Sequence, residues 1–113
     1  MSDCLFCKII AGEIPSETVY EDEHLVVFRD INPKAEVHLL VIPRQHIASL
    51  DEVTPEQDPL LAHMLRIMPQ LAKSQGLEDG FRTIINTGKE GGQIIFHLHM
   101  HLLGGRQMTW PPG

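Results

Sequence analysis

The chain has 113 residues, 42% hydrophobic and 21% charged, with a formal net charge of −6. This length suits a single domain over 1–113, with 104–113 as a C-terminal tail, and it can bury a core without disulfides. The acidic balance argues against a nucleic-acid partner but not against one small phosphate ligand, and the absence of any ~18-residue apolar run or signal-peptide core leads us to expect a cytoplasmic protein without a membrane partner.

Asp3 is positioned to cap a short helix from Cys4 to Ala11, with Leu5, Phe6, Ile9 and Ile10 as its apolar stripe and Gly12 as its stop. Thr18-Val19-Tyr20 and Leu25 to Arg29 read as strands joined by the acidic turn Glu21 to His24, and Asp30 to Lys34 is a second turn. Val37 to Ile42 is a buried third strand closed by Pro43. Thr54-Pro55-Glu56-Gln57 fits a capping box that opens a long helix ending near Gln75 and Gly76, with Asp58-Pro59 as a rival start. Its apolar side would be Leu60, Leu61, Met64, Leu65, Ile67, Met68 and Leu71, and Pro69 should kink it. Phe81 to Asn86 is a fourth strand, Thr87 to Gln93 a glycine-rich loop, and Ile95 to Leu103 a fifth strand. This succession implies an α+β domain with an antiparallel sheet covered on one face.

The fifth strand contains Phe96-His97-Leu98-His99-Met100-His101-Leu102-Leu103. Residues two apart on a strand share a face, roughly 6.5–7 Å from each other, so the pattern makes a row of three imidazoles. Such a row suits a metal ion or a transfer reaction in which one histidine attacks and its neighbours manage protons and charge. Gly91-Gly92 just upstream can bring backbone N–H groups to an anion, and Asn86 can direct its amide toward the same place, which favours phosphate. Cys4 and Cys7 are too close to staple a fold and read as a metal or redox pair. His24 and His63 are left as solvated or packing residues.

The run His97 to Leu103 resembles the His-φ-His-φ-His-φ-φ signature of the histidine triad (HIT) family. Phe6-x-Lys8-Ile9-Ile10-x-Gly12-Glu13-Ile14-Pro15, Phe28-Arg29-Asp30-Ile31-Asn32-Pro33, His38 to Pro43, Gly104-Gly105-Arg106 and the ending Trp110-Pro111-Pro112-Gly113 resemble its Hint branch. The likeness runs in register over nearly the whole chain, and only the long helix is generic. It implies a HIT-like α+β fold, a mainly antiparallel five-stranded sheet with two helices, in a homodimer whose sheets join into one.

The resemblance further implies a hydrolase that cleaves the P–N bond of purine nucleoside 5′-phosphoramidates through a covalent nucleotidyl-histidine. The alternative is a nucleotide-binding or scaffold protein with little turnover. His99 would attack, His101 would contact the phosphate and help protonate the leaving amine, and His38 would orient and charge the site. Asp30 would bind the ribose hydroxyls, and Phe6, Ile9, Ile14, Phe28 and Ile31 would form the base pocket. Asn86, Gly92 and Gln93 would serve the phosphate, and Trp110 would reach the partner's site. Cys4, Cys7, His46 and His97 would bind a structural zinc ion, with no cofactor required for catalysis. One departure stands out: many Hint members carry serine directly after Gly-Gly-Gln, and here the residue is Ile94. A hydroxyl donor near the leaving group is therefore missing, and reduced turnover is expected.

Overall fold

Strands β1 (Thr18–Glu21), β2 (Leu25–Arg29), β3 (Val37–Pro43), β4 (Arg82–Ile84) and β5 (Met100–Gly104) form one antiparallel sheet in the order β1-β2-β3-β5-β4. The computed structural model describes residues 3–113. Helix α1 (Leu5–Ile10) precedes the sheet, and α2 (Asp58–Ser74) lies between β3 and β4.

Strand alternation divides the sheet into two working faces. Leu25, Val27, Leu39, Val41, Met100 and Leu102 point to one side and pack with Met64, Ile67, Met68 and Leu71 of α2. Val26, Phe28, Leu40 and Ile42 point to the other side and pack with Phe6 of α1. Both faces are therefore partly covered, where the sequence pattern suggested one. The second face also carries the histidines.

Several local expectations change in detail. Cys4, not Asp3, caps α1: its Sγ accepts the Cys7 N–H at 3.3 Å. The Thr54–Gln57 box forms, with the Thr54 N–H donating to Gln57 Oε1 at 2.7 Å, but it closes a short 3₁₀ turn, and the α-helix starts at the rival position, Asp58. Leu65 lies on the exposed side of α2 rather than its apolar side. Pro69 sits inside an unbroken helix, on its exposed side, where water can serve the carbonyl that loses its partner. Strand β4 is shorter than Phe81 to Asn86, and β5 begins only at Met100.

His63 of α2 has a specific packing role. Its Nε2 and the Tyr20 hydroxyl each lie 2.7 Å from Asp22 Oδ2, while the His24 and Leu25 amides donate to Oδ1 at 2.8 Å. Burial alone would raise the Asp22 carboxyl, but these four hydrogen bonds outweigh it and hold it well below the usual carboxylate range. The β1–β2 turn is thereby tied to α2. Asp22→Asn should cost about 2 kcal/mol in urea unfolding at neutral pH. A depressed folded pKa means that the stabilisation is full above about pH 4 and fades as pH falls through the folded value. The gap between wild type and variant should therefore narrow on acidification, and a gap unchanged from pH 7 to about pH 2 would refute the assignment.

Candidate functional site

Register brings the first group together. β3 and β5 pair His38 with Leu103 and Leu40 with His101, which makes His38 and His101 diagonal neighbours on the second face. Their rings meet with His38 Nε2 2.9 Å from His101 Nδ1. Asp30 follows β2 and continues its pairing with β3, its N–H donating to the His38 carbonyl at 3.0 Å. One carboxylate oxygen accepts the Asn32 N–H at 2.8 Å, and the other lies 3.4 Å from His38 Nε2.

The tautomers follow from the backbone. The Lys34 amide, which can only donate, lies 3.0 Å from His38 Nδ1, so that nitrogen keeps its lone pair and the His38 proton sits on Nε2. That N–H faces His101 Nδ1, which must accept, leaving the His101 proton on Nε2. His101 Nε2 is buried and has no hydrogen-bond partner among the described residues. A buried unpaired donor is costly, and this one is a ready contact for an anionic oxygen. Burial, reinforced by His99 and His38, pushes the His101 pKa down to about 4, and burial also lowers His38 against the opposing pull of Asp30. Both rings are neutral near pH 7.

The same logic fixes the other two members of the row. His99 Nδ1 lies 2.7 Å from the His97 carbonyl, so Nδ1 carries the proton and the Nε2 lone pair is free. Burial lowers its pKa, keeping the ring neutral and nucleophilic. Phe6 presses edge-on against this ring, with centroids 5.1 Å apart. His97 Nε2 donates to the Pro43 carbonyl at 2.8 Å, which frees Nδ1 in the opposite direction. Around that Nδ1 stand Cys4 Sγ at 3.2 Å, His46 Nδ1 at 3.2 Å and Cys7 Sγ at 3.6 Å, with Cys7 and His46 3.4 Å apart. Tetrahedral zinc bonded to two sulfurs and two nitrogens has ligand–ligand edges of roughly 3.3–3.8 Å. Those four separations lie close to that range, all four ligand atoms fall within 4.8 Å of one another, and the N-cap and first turn of α1 supply the two thiols.

Although β5 starts at Met100, His97, His99 and His101 all turn toward the second face, while Leu98, Met100 and Leu102 enter the opposite core. The segment before β5 is held without a ladder, by the Leu98 N–H on the Ile47 carbonyl and by Gln93. Gln93 is buried, its amide donating to the Ala48 and Ile95 carbonyls and its Oε1 accepting the Gly88 N–H. The Gly92 and Gln93 amides bond to the Lys89 and Gly88 carbonyls, so the loop uses them internally. Phe6 and Phe28 are buried, Ile9 and Ile14 are half-buried, and Ile31 is exposed. Asn86 is half-buried, and Trp110 stands in the open, beyond a tail that Arg82 fastens through the Thr109 carbonyl. Ile94 is 88% exposed and borders a groove with Cys4, Leu5, His46 and Phe96, beside the cysteine–histidine cluster. The contributions of the Lys34 amide and the Pro43 and His97 carbonyls had no sequence signal, since every residue type but proline offers both groups.

Residues 3–110 match the family described as "Scavenger mRNA decapping enzyme C-term binding". The chain is 57% identical over 104 residues to Protein HitA of Neisseria gonorrhoeae, covering 92% of this chain and 97% of that one. It is 48% identical over 114 residues to a 14 kDa zinc-binding protein of Zea mays, covering 99% and 89%. Among solved structures, a HIT family hydrolase from Legionella pneumophila superposes with a TM-score of 0.96 at 52% identity, over 98% of this chain and 100% of that one. A histidine triad nucleotide-binding protein from Candida albicans gives 0.82 at 34% identity, over 96% and 83%.

The turn that delivers the histidines can be tested by itself. A Cβ on Gly91 would stand 2.3 Å from the Thr87 carbonyl oxygen. Gly91→Ala should therefore cost about 1–3 kcal/mol in thermal or urea unfolding, and wild-type stability in that variant would show that the turn does not have this close approach.

Proposed function

The chain belongs to the histidine triad family, and on that premise we propose that it is a nucleotide-binding hydrolase that cleaves the P–N bond of purine nucleoside 5′-phosphoramidates, as in the Hint branch. The observation that carries this reading is the pairing of His99, whose free Nε2 lone pair is set by the His97 carbonyl, with the buried, unpartnered N–H of His101 one strand repeat away. One is a nucleophile, the other a donor for the phosphoryl group.

His99 Nε2 attacks the α-phosphorus; the P–N bond breaks, its electron pair leaves on nitrogen, and the amine departs after gaining a proton. Water then attacks the same phosphorus, breaks the bond to His99 and releases the nucleoside monophosphate. Because His101 Nδ1 already accepts from His38, its ring stays neutral and stabilises charge on the phosphoryl oxygens. The amine then takes its proton from solvent, since Ile94 offers no hydroxyl to supply one. This narrows the role expected of His101 to the phosphate. Asp30 accepts from the ribose hydroxyls, Phe6, Ile9, Ile14, Phe28 and Ile31 shape the base side, and Asn86, Gly92 and Gln93 support the loop beside the phosphate. Trp110 reaches the partner's site in a homodimer that joins two sheets.

The second reading, a binding module with little turnover, is favoured by Ile94 alone. Rapid mixing with adenosine 5′-phosphoramidate separates the two. A burst of amine release with AMP trapped on His99, absent in His99→Ala, is expected of the hydrolase. Binding without release of amine would establish the module instead.

Cys4, Cys7, His46 and His97 would hold one zinc ion with all four positions filled by protein, a structural role that ties α1 to the sheet. The expected outcome is one equivalent of zinc by elemental analysis of chelator-free protein, lost in Cys7→Ser with a lower Tm. Protein that contains no metal and whose Tm is insensitive to added zinc would remove the metal from the reading.

A further inference from the structure

His38 has one proton and two claimants. Its Nε2 lies 2.9 Å from His101 Nδ1 and 3.4 Å from Asp30 Oδ2, while the Lys34 amide keeps Nδ1 out of play. All three side chains lie within one small cluster, His38 is almost wholly enclosed, and Asp30 retains access to solvent. A single N–H shared between two acceptors serves each less well than it would serve one. An imidazole that accepts a stronger hydrogen bond at one nitrogen becomes a better donor at the other. His101 Nε2, at the far end of this hydrogen-bond relay, is a buried donor with no partner among the described residues.

We infer that Asp30 is a positioning residue for the phosphate donor: ribose hydroxyls that occupy its carboxylate release the His38 N–H to His101, so that recognition of the sugar strengthens the grip on the phosphate. The inference rests on the nucleotide reading above and deepens it. Its consequence is specificity in the chemical step. A phosphoramidate without ribose hydroxyls can still place its phosphorus at His99, but it meets a weaker donor. The sugar then contributes to kcat, not to KM alone, which a simple anchoring contact does not do.

Two measurements on the wild-type protein as purified test this. In ¹H–¹⁵N spectra of the imidazoles, AMP should move the His38 Nε2–H resonance farther downfield, toward a shorter hydrogen bond, than 2′,3′-dideoxy-AMP does, because both carry the phosphate and only AMP occupies Asp30 through its hydroxyls. In steady-state kinetics, adenosine 5′-phosphoramidate should exceed its 2′,3′-dideoxy analogue in kcat by about tenfold, beyond any change in KM. Asp30→Ala should bring the two substrates to the same kcat. Equal kcat values in the wild type, or identical His38 shifts with both nucleotides, would overturn the coupling while leaving the nucleotide site intact. Failure of AMP to perturb any of these histidines would overturn the site itself and the coupling with it.

Discussion

A neutral imidazole carries one N–H and one lone pair, and the site is organised by which nitrogen the backbone claims first. The Pro43 carbonyl takes the proton of His97 at Nε2, the His97 carbonyl takes that of His99 at Nδ1, and the Lys34 amide occupies the lone pair of His38 at Nδ1. Each contact dictates what the remaining nitrogen does. His97 is left with a lone pair facing two thiols and a second imidazole, His99 with a free nucleophile, and His38 with a proton to give to His101. Three side chains of one chemical type thus acquire distinct duties without any difference in their own chemistry. Burial acts in the same direction, holding the rings neutral so that the assignment persists near neutral pH.

The two sides of the sheet divide the energetic labour. The face toward α2 is continuous hydrocarbon from β2, β3 and β5, and it stabilises the fold by burial. The opposite face carries a smaller apolar cluster under Phe6 and devotes the rest of its area to imidazoles and a carboxylate. Polar groups on a buried face cost desolvation unless each finds a partner. Among the described residues the fully enclosed side-chain atom without a partner is His101 Nε2, and the His99 Nε2 lone pair is also left free. Phe6 joins the two parts of that second face, because the ring that fills the apolar cluster also packs against His97 and His99.

Much of this was legible in the residues. Period-two alternation placed His97, His99 and His101 on one face, and Cys4-x-x-Cys7 pointed to paired ligands, because both depend on local geometry alone. The contact of His38 with His101 depends on the register between β3 and β5, set by residues far apart in the chain, and the motifs do not encode it. β5 is shorter than its alternating pattern, because alternation reports the facing of side chains and not pairing. His97 and His99 keep the facing while Gln93 and the Ile47 carbonyl replace the ladder. Leu65 lies outside the packed side for a related reason: a wide apolar stripe on a helix does not say which margin the sheet covers.

The partners of His97 lie at unusual distances along the chain: Cys4 is 93 residues away, Pro43 is 54 and His46 is 51. Contacts of such separation form only after intervening segments have been ordered, since each closure carries an entropic cost. The histidine row is therefore tied together where the first turn of the chain meets its last strand. A polypeptide without the first turn would keep the Pro43 carbonyl for His97 Nε2 but lose both thiols that face its Nδ1. The surroundings of His97 thus belong to the whole topology rather than to any one strand.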